Sequence, residues 1–245
     1  MESHNKMISV CMAVYNGSMF LIPQLCSILD QLSGTDELII VDDCSTDNSS
    51  DILSNINDTR IKYFKNNINI GVFGSFERAI NLSSGEIIFL SDQDDIWCPR
   101  KVDKTMAIFS SMQKITMVAT DATVINGNGE IMQSSLFLIR GKFKPDLINT
   151  IIKNKYLGCT LAFRRSIIDK LLPIPKDVPM HDIWFGCINS LYGKTFFINE
   201  PLILYRRHNN NVSPMKSVYL LKQIKWRIRL VKNIISRIYA IQNKL

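Results

Sequence analysis

The chain has 245 residues, of which 46% are hydrophobic and 21% are charged. This composition excludes an intrinsically disordered chain, and the length favours one α/β domain with an appendage over two full domains. No apolar run approaches the roughly 18 residues that a membrane-spanning helix needs. The 6 cysteines form no CxxC pair, so we expect free thiols in a reducing cytoplasm rather than a disulfide or zinc framework.

The net charge of +7 is concentrated near the C-terminus. From Met215 to Leu245 there are eight cations and no Asp or Glu, which leaves the rest of the chain at −1. The eight are Lys216, Lys222, Lys225, Arg227, Arg229, Lys232, Arg237 and Lys244. Because the body of the protein carries no excess of positive charge, we do not expect it to bind nucleic acid.

The first 125 residues alternate strand-like and helix-like segments. Nearly continuous apolar runs predict buried strands, and apolar side chains at helical spacing predict the helices between them. The predicted strands span 8–14, 37–41, 61–64 and 86–90, and the predicted helices span 20–29, from N-caps at 45–47 to about 53, and 73–82. This alternation predicts an α/β fold with a mostly parallel sheet that is covered by helices on both faces.

The second half of the chain is less regular, although its pattern still alternates. Strands are predicted at 117–125, 160–163, 196–198 and 202–205, a helix at 181–192, and a polar loop at 206–211. The sequence Asn126-Gly127-Asn128-Gly129 is a strong turn signal before another short strand.

Polar side chains follow three of the predicted strands at the point where each strand ends. These are Tyr15 and Asn16 after the first strand, Asp42 and Asp43 after the second, and the segment from Asp92 to Asp95 after the fourth. In parallel α/β sheets, ligands bind beyond the carboxyl ends of the strands. The sequence therefore predicts one site that is built from three loops.

The loop after the fourth strand places three carboxylates within four residues, Asp92-Gln93-Asp94-Asp95. Their mutual repulsion is costly unless a cation compensates, and oxygen ligands at this density suit Mg²⁺ or Mn²⁺ bound together with substrate phosphates. The alternative is a solvated acidic turn that caps a helix starting near Pro99. The flanking apolar residues of IIFLSDQDDIW favour the metal–phosphate interpretation.

Four segments, VCMAVYNG, ELIIVDDCSTD, NINIGVFGSFERAIN and GEIIFLSDQDDIWCPRKV, resemble the family-two glycosyltransferases of the GT-A fold in order and spacing. The resemblance is closest to bacterial enzymes that build surface polysaccharides such as O-antigen or capsule, rhamnosyltransferases among them. It is specific over 7–105, looser over 106–213 and absent from the tail. It implies a GT-A domain at 1–213, with a Rossmann-like nucleotide-sugar-binding half at 1–105 and an acceptor-side half at 106–213, followed by a helical tail at 214–245.

The resemblance also implies roles for residues on the donor side. The base and ribose pocket would be lined by Ala13, Tyr15 and Asn16. Asp43 would hold the base or ribose, and Asp42 would support its loop. The donor-side helix would contribute Asn69, Gly71 and Arg78, with Arg78 facing donor phosphate.

Asp92 and Asp94 match the DxD motif of this family. The resemblance implies that Asp94 is the direct metal ligand and that Asp92 lies nearer the ribose and the sugar, where it also serves the metal. Asp95 is interpreted either as part of this loop or as a helix cap.

Inverting transfer needs a general base, which this family places at the start of a helix in the second half of the domain. The matching segment is Met180-His181-Asp182-Ile183-Trp184, so the resemblance implies that Asp182 takes the acceptor proton. The alternative is an acid that the helix dipole stabilises. His181 departs from the acid that is commoner at its position.

The segment 204–213 resembles one that closes over the donor in this family. Arg206 or Arg207 would balance the charge of the diphosphate, and His208 would complete the metal shell. A single His beside a basic loop is more often a surface or hydrogen-bonding residue.

In the tail, apolar residues recur at intervals of three and four, with cations one step round the helix. The apolar residues are Leu221, Ile224, Ile228, Val231, Ile235 and Ile238, and the cations are Lys222, Lys225, Arg229 and Lys232. This pattern predicts a basic amphipathic helix that binds an anionic membrane surface. Packing of the stripe on the domain or on a second copy in a homodimer is the alternative.

These observations predict an inverting glycosyltransferase that depends on Mg²⁺ or Mn²⁺ and moves a sugar from a nucleotide-diphosphate donor to a glycan or lipid-linked saccharide acceptor. Its expected location is the cytoplasm, peripheral to the inner face of the plasma membrane. One alternative is a sugar-nucleotide nucleotidyltransferase, but AVYNGS lacks the Gly-rich, basic phosphate loop expected of one. The other is a catalytically silent nucleotide-sugar-binding subunit of a membrane synthase.

Overall fold

The fold is that of a computed structural model, which describes residues 7–141, 145–208, 211 and 220–243. The strands are β1 (Ile8–Val14), β2 (Glu37–Asp42), β3 (Ile61–Lys65), β4 (Ile87–Ser91), β5 (Ile96–Trp97), β6 (Met117–Asn126), β7 (Ile131–Gln133), β8 (Leu161–Arg164) and β9 (Thr195–Arg207). The helices are α1 (Ser18–Leu29), α2 (Ser49–Ser54), α3 (Gly71–Leu82), α4 (Lys101–Ser111), α5 (Leu136–Arg140), α6 (Leu147–Ile152), α7 (Ile168–Leu171), α8 (His181–Tyr192) and α9 (Leu220–Gln242).

One mixed sheet runs through the described residues in the order β3-β2-β1-β4-β8-β6-β9-β5, and β7 pairs with β6. The strands β3, β2, β1 and β4 are parallel neighbours. Strand β8 is antiparallel to both β4 and β6, whereas β9 runs parallel to β6. The structure confirms the predicted α/β class, with a mixed sheet that is flanked by helices and whose parallel part is formed by β3, β2, β1 and β4.

Apolar layers cover both faces of the sheet, which explains why its strands are continuous apolar runs. On one face, Val10 of β1 belongs to the same core cluster as Leu21 and Leu25 of α1. On the other face, Cys11 belongs to a second cluster with Phe76 of α3. Alternate residues of one strand point to opposite faces, so a strand buried on both faces is apolar at nearly every position.

The second half differs from the prediction at its longest strand. The segments predicted as two strands, 196–198 and 202–205, belong to the single strand β9, which also includes Arg206 and Arg207 of the predicted loop. The register between β6 and β9 shifts after Thr120, and Pro201 is the next residue of β9 that pairs. Because Pro donates no backbone hydrogen bond, it lies where the ladder is interrupted.

The start of α2 also differs from the prediction. The helix begins at Ser49 with Asn48 as its N-cap, and Asn48 makes no side-chain capping bond. Of the predicted caps, Asp47 accepts a hydrogen bond from Ser49 N at the start of the helix, and Ser45 and Asp47 also bind the neighbouring loop. Ser45 Oγ accepts a hydrogen bond from Asn16 N, and Asp47 accepts one from Ser18 N.

The C-terminal helix α9 packs against the body of the protein. Leu230 and Ile234 are buried in the same cluster as Phe76, and Arg227 donates hydrogen bonds to the backbone oxygens of Ile151 and Ile152. Among the described helices, none combines the length and the apolar character needed to cross a bilayer.

Gly85 lies between α3 and β4, where the backbone of β1 leaves no room for a side chain. A Cβ at this position would lie 2.5 Å from Ser9 N and 2.7 Å from Ile8 C. Because backbone atoms cannot move aside as a flexible side chain can, we expect Gly85→Ala to lower the free energy of unfolding by about 1–3 kcal/mol.

The matched control is Gly34→Ala, since a Cβ at Gly34 meets no described atom within 4 Å. Guanidinium unfolding of both variants measures the difference. Equal unfolding midpoints for the two would contradict this account of the β1–β4 contact.

Candidate functional site

A cavity of about 480 Å³ lies at the carboxyl ends of β1, β2 and β4. Among its lining residues are Ala13, Tyr15, Asp43, Asn69, Gly71, Asp92 and Asp94, all of which were predicted to belong to the site. The remaining lining residues are Val14, Val72, Ser75, Gln93, Met180, His181, Tyr205 and Asn211. The structure therefore brings the three predicted loops together at one edge of the sheet.

Gln93 joins the loop after β4 to the loop after β1. Its Oε1 accepts a hydrogen bond from Tyr15 N at 2.8 Å, and its Nε2 donates one to Tyr15 O at 2.9 Å. A Cβ at Gly17 would lie 2.4 Å from Gln93 Oε1, so the glycine permits this close approach. The amide fixes the backbone of Tyr15, whose side chain stays 48% exposed at the cavity.

Asp43 anchors the start of α3. Its carboxylate accepts hydrogen bonds from Ile70 N and Gly71 N, both at 2.8 Å, and from Asn66 Nδ2 at 2.7 Å. Asn69 Nδ2 donates to the backbone oxygen of Asp43 at 3.1 Å. The carboxylate thus satisfies backbone N–H groups that a helix start leaves without partners, and it also lines the cavity.

Asp42 lies beneath this loop and does not line the cavity. Its carboxylate accepts hydrogen bonds from Ser45 N, Ser50 Oγ and Tyr63 Oη. Burial disfavours the charged form of Asp42, but these hydrogen bonds outweigh burial and lower its pKa. These hydrogen bonds indicate that Asp42 fixes the conformation of the loop after β2.

Asp94 is held by the end of β9 and the residues that follow it. Its Oδ2 lies 2.7 Å from His208 Nε2 and 3.1 Å from Asn211 Nδ2. Arg206 Nε donates to the backbone oxygen of Asp94 at 2.9 Å. The acidic loop and the segment predicted to close over the donor are therefore in direct contact.

Asp95 is almost completely buried behind this contact. Its Oδ1 accepts a hydrogen bond from Arg206 N at 2.9 Å, and its Oδ2 has no hydrogen-bond partner among the described residues. Helix α4 begins at Lys101 with Arg100 as its N-cap, so Asp95 does not cap it. Since Asp94 and Asp95 are both buried, the alternative of a solvated acidic turn is wrong.

Charge is crowded around this loop. Oxygen atoms of Asp92 and Asp95 and the sulfur of Cys159 all lie within 4.8 Å of one another. Burial, followed by the charges of Asp94 and Asp182, raises the pKa of Asp92 to about 7. Burial and the charges of Asp94 and Asp92 raise the pKa of Asp95 well above its ordinary value.

The donor atoms of the loop fit a hard divalent cation. Carboxylate oxygens are the ligands that Mg²⁺ and Mn²⁺ prefer, and a cation would offset the repulsion that raises the pKa of Asp92. Cys159 fits less well, because burial raises the pKa of its thiol well above its usual range.

Asp182 lies in the first turn of α8, beside Asp92. Its Oδ1 accepts hydrogen bonds from Asn154 Nδ2 at 3.0 Å and from Ile183 N at 2.6 Å. Burial raises the pKa of Asp182 to about 6, although the charge of Arg140 and these hydrogen bonds oppose the shift. An acid stabilised mainly by the helix dipole would have a lowered pKa, so burial dominates here.

His181 lines the cavity next to Asp182 and is 4% exposed. Neither ring nitrogen has a hydrogen-bond partner among the residues that the structure describes. The ring packs 4.8 Å from that of Phe76, and a Cβ at Gly158 would lie 2.3 Å from Nε2. Burial lowers the pKa of His181 to about 4, so the imidazole is neutral at pH 7.

Other predicted site residues lie away from the cavity wall. Asn16 Oδ1 accepts a hydrogen bond from Thr46 N, and Arg78 donates to Lys65 O and Asn66 Oδ1 beside a separate groove along α3. Arg206 is buried against the acidic loop, and Arg207 donates to Tyr205 Oη. Their predicted contacts with a donor stay predictions.

The sequence singled out none of Gln93, Ser75, Met180, Tyr205 and Asn211 as a cavity residue. For Gln93, the only sequence feature that could have indicated a place in the cavity is its position inside the acidic motif. His181 was noticed only as a departure from the acid that is commoner at its position.

A sequence profile described as Glycosyl transferase family 2 matches residues 9–172. An uncharacterized glycosyltransferase of Nostoc sp. is 30% identical over 84% of this chain and 67% of its own length. WfgD of Escherichia coli, a UDP-Glc:alpha-D-GlcNAc-diphosphoundecaprenol beta-1,3-glucosyltransferase, is 28% identical over 97% of this chain and 91% of its own length.

Among solved structures, residues 1–349 of TarS from S. aureus in complex with UDP-GlcNAc match with a TM-score of 0.71 at 18% identity, over 93% of this chain and 67% of that one. In another crystal structure of TarS 1–349, this chain covers 60% of that fragment, so it spans less than two thirds of that neighbour. The match confirms the predicted GT-A architecture.

Proposed function

The chain belongs to glycosyl transferase family 2 and is a glycosyltransferase, and we propose that it inverts the anomeric centre and depends on a divalent metal. It moves a sugar from a nucleotide-diphosphate sugar to an acceptor hydroxyl in the biosynthesis of a bacterial surface polysaccharide. The observation that carries the proposal is the cavity itself. It brings the loops after β1 and β2 together with Asp92 and Asp94 of the acidic loop, next to Asp182. Family membership argues against a nucleotidyltransferase, and the retained Asp94 and Asp182 argue against a silent subunit.

The donor occupies the cavity of about 480 Å³, a volume within the range of small-ligand sites. The exposed ring of Tyr15 offers a stacking surface for the base, and Asp43 and Asn69 lie on the same wall. Support comes from the TarS neighbour, which was crystallised with UDP-GlcNAc, and from WfgD, whose name specifies UDP-Glc.

Asp94 and Asp92 would hold Mg²⁺ or Mn²⁺, with His208 as a further ligand. His208 supports this assignment because its Nε2 already lies 2.7 Å from Asp94 Oδ2. When bound, the cation neutralises the charge of the departing diphosphate.

Asp182 acts as the general base. The acceptor hydroxyl oxygen bonds to the anomeric carbon, the bond to the diphosphate oxygen breaks with its electron pair, and the hydroxyl proton passes to the Asp182 carboxylate. Attack from the face opposite the leaving group inverts the anomeric centre. A carboxylate whose pKa is raised to about 6 is a stronger base than an exposed Asp and is still ionised at pH 7.

We expect Asp182→Asn to lower kcat by on the order of 10² or more while the KM for the donor stays near its original value, because the amide cannot accept the proton. In the unmodified enzyme, kcat should fall as the pH drops below about 6, where Asp182 becomes protonated. Steady-state assays across pH check both.

Asp169→Asn is the matched control, since Asp169 is exposed in the first turn of α7. If Asp182→Asn turns over at the rate of this control, the base lies elsewhere.

A second prediction concerns the cation. We expect Asp94→Asn to weaken the Mn²⁺-dependent binding of a nucleoside diphosphate by roughly 10-fold or more, because a direct ligand is lost. Calorimetric titration with and without Mn²⁺ measures this dependence, with Asp103→Asn on the exposed side of α4 as the control. Equal Mn²⁺ dependence in the two variants would refute the assignment of Asp94.

We propose that the tail at 214–245, which follows the domain at 1–213, binds a membrane surface. The outer face of α9 supports this proposal. The predicted apolar stripe is exposed from Leu221 to Ile235, but Ile238 packs against the core and Tyr239 continues the stripe. The cations along one side of the stripe are all exposed, namely Lys222, Lys225, Arg229 and Lys232. Lys216 and Lys244 lie outside the described residues.

This face suits a peripheral position at the inner leaflet of the plasma membrane, where lipid-linked saccharide acceptors lie. Each Lys or Arg near an anionic bilayer contributes roughly 1 kcal/mol before screening. WfgD supports the acceptor class, since its name specifies a diphosphoundecaprenol acceptor.

We expect the quadruple change Lys222→Gln, Lys225→Gln, Arg229→Gln and Lys232→Gln to abolish sedimentation with anionic liposomes. All four side chains are exposed, so the melting temperature should not change. If the unmodified chain does not sediment with these liposomes and light scattering shows a dimer, the stripe is a subunit interface instead.

A further inference from the structure

A second groove, of about 360 Å³, lies between α6, α8 and α9. Its walls are mainly apolar and include Ile151, Ile152, Ile183, Trp226 and Leu230. Met180 lines both this groove and the donor cavity. The two spaces are therefore neighbours that share a side chain as their common wall.

The groove is connected to the proposed general base through Asn154. Asn154 lines the groove, and its Nδ2 donates to Asp182 Oδ1 at 3.0 Å. A molecule in the groove that extends past Asn154 and Met180 would therefore approach the Asp182 carboxylate.

The charge of the groove is positive. Lys153 and Arg227 are among its lining residues, and none of the lining residues described is Asp or Glu. Arg227 is fixed in place by its hydrogen bonds to the backbone oxygens of Ile151 and Ile152. Because these acceptors are neutral, they leave the guanidinium charge available to an anion.

The outer rim of the groove joins the exposed apolar surface of the protein. Ile152 lines the groove and is itself 59% exposed, and Ile148 of the same helix is 70% exposed. On the facing helix, Ile224 and Ile228 of the outer stripe are 44% and 52% exposed and flank the groove residues Trp226 and Arg227. An apolar chain in the groove could pass from this rim into a bilayer.

We propose that this groove binds the diphosphate and the first isoprene units of a polyprenyl-diphosphate-linked acceptor. Lys153 and Arg227 bind the diphosphate, the apolar walls hold the isoprene units, and the saccharide extends past Asn154 to Asp182. Lys153 directly precedes Asn154, so the phosphate and sugar positions are adjacent, as they are in such an acceptor. The inference deepens the proposed function and rests on it.

The test uses farnesyl diphosphate as the probe and the full chain, in the presence of EDTA so that cation-dependent binding in the donor cavity does not contribute. Farnesol, inorganic diphosphate and a short-chain phosphatidylglycerol are titrated alongside it by calorimetry. We expect farnesyl diphosphate to bind more tightly than each of the other three, and Trp226 fluorescence to change on binding, with the change lost in Trp226→Phe.

We expect Lys153→Gln to weaken farnesyl diphosphate binding roughly 5-fold or more. Lys176→Gln is the matched control, since Lys176 is exposed beside the separate groove along α3, and it should bind the probe as the unmodified chain does. Equal affinities of the two variants would overturn the proposal. Binding of phosphatidylglycerol as tight as that of farnesyl diphosphate would also overturn it, since the groove would then be a phospholipid headgroup site.

Donor hydrolysis by the unmodified chain distinguishes a failure of the groove inference from a failure of the proposed function. If the chain hydrolyses a nucleotide sugar but does not bind farnesyl diphosphate, the groove inference fails and the proposed function stands. If no nucleotide sugar is hydrolysed or bound, the proposed function fails, whatever the probe does.

Discussion

The crowding of carboxylates at one edge of the sheet is the constraint on which the rest of the site depends. Asp92, Asp94, Asp95 and Asp182 lie close together, and burial, followed by repulsion from neighbouring carboxylates, raises the pKa values of Asp92 and Asp95. Such a cluster is stable only if positive charge and hydrogen-bond donors compensate it. The chain supplies part of this compensation, and the proposed cation supplies the rest.

The compensation from the chain comes from two directions. On one side, the end of β9 presents Arg206 and His208 to the loop. On the other side, Lys101 is fully buried with its Nζ 4.9 Å from the centre of the Trp97 ring, and Asp95 is among the charges that support its ammonium form. Burial lowers the pKa of Lys101 to about 8, so it stays mostly charged at pH 7.

These contacts join the first half of the chain to the second at the site. The acidic loop lies within residues 1–105, whereas β9 and Asp182 lie within residues 106–213. Asp94 contacts His208 and Asn211, so the acidic loop is joined directly to two residues that follow β9. The groove beside α9 adjoins the donor cavity at Met180, and Asp182 through Asn154.

The first half of the fold was predictable because each of its signals is local. A strand buried on both faces is a nearly continuous apolar run, and the polar residues that follow it lie at the edge of the sheet where ligands bind. The prediction of two strands in place of β9 was wrong. Two short apolar runs flank Pro201, and only their pairing with β6 shows that they form one bulged strand.

Contacts between distant residues were not predictable. Gln93 and Tyr15 lie 78 positions apart, and periodicity carries no information on such a pair. Asp43 was assigned to the nucleotide, yet its carboxylate also holds the start of α3. His181 owes its neutral state to packing against Phe76 and Gly158, which the residues around it in the sequence do not reveal.

The most direct measurement is a crystal structure of the chain with Mn²⁺ and a nucleoside diphosphate, in which anomalous scattering locates the ion. The account predicts an anomalous peak within coordination distance of Asp94 and Asp92, beside His208 and in contact with the phosphates. A peak confined to the buried group of Asp92, Asp95 and Cys159, or no peak although the nucleotide is bound, would contradict it.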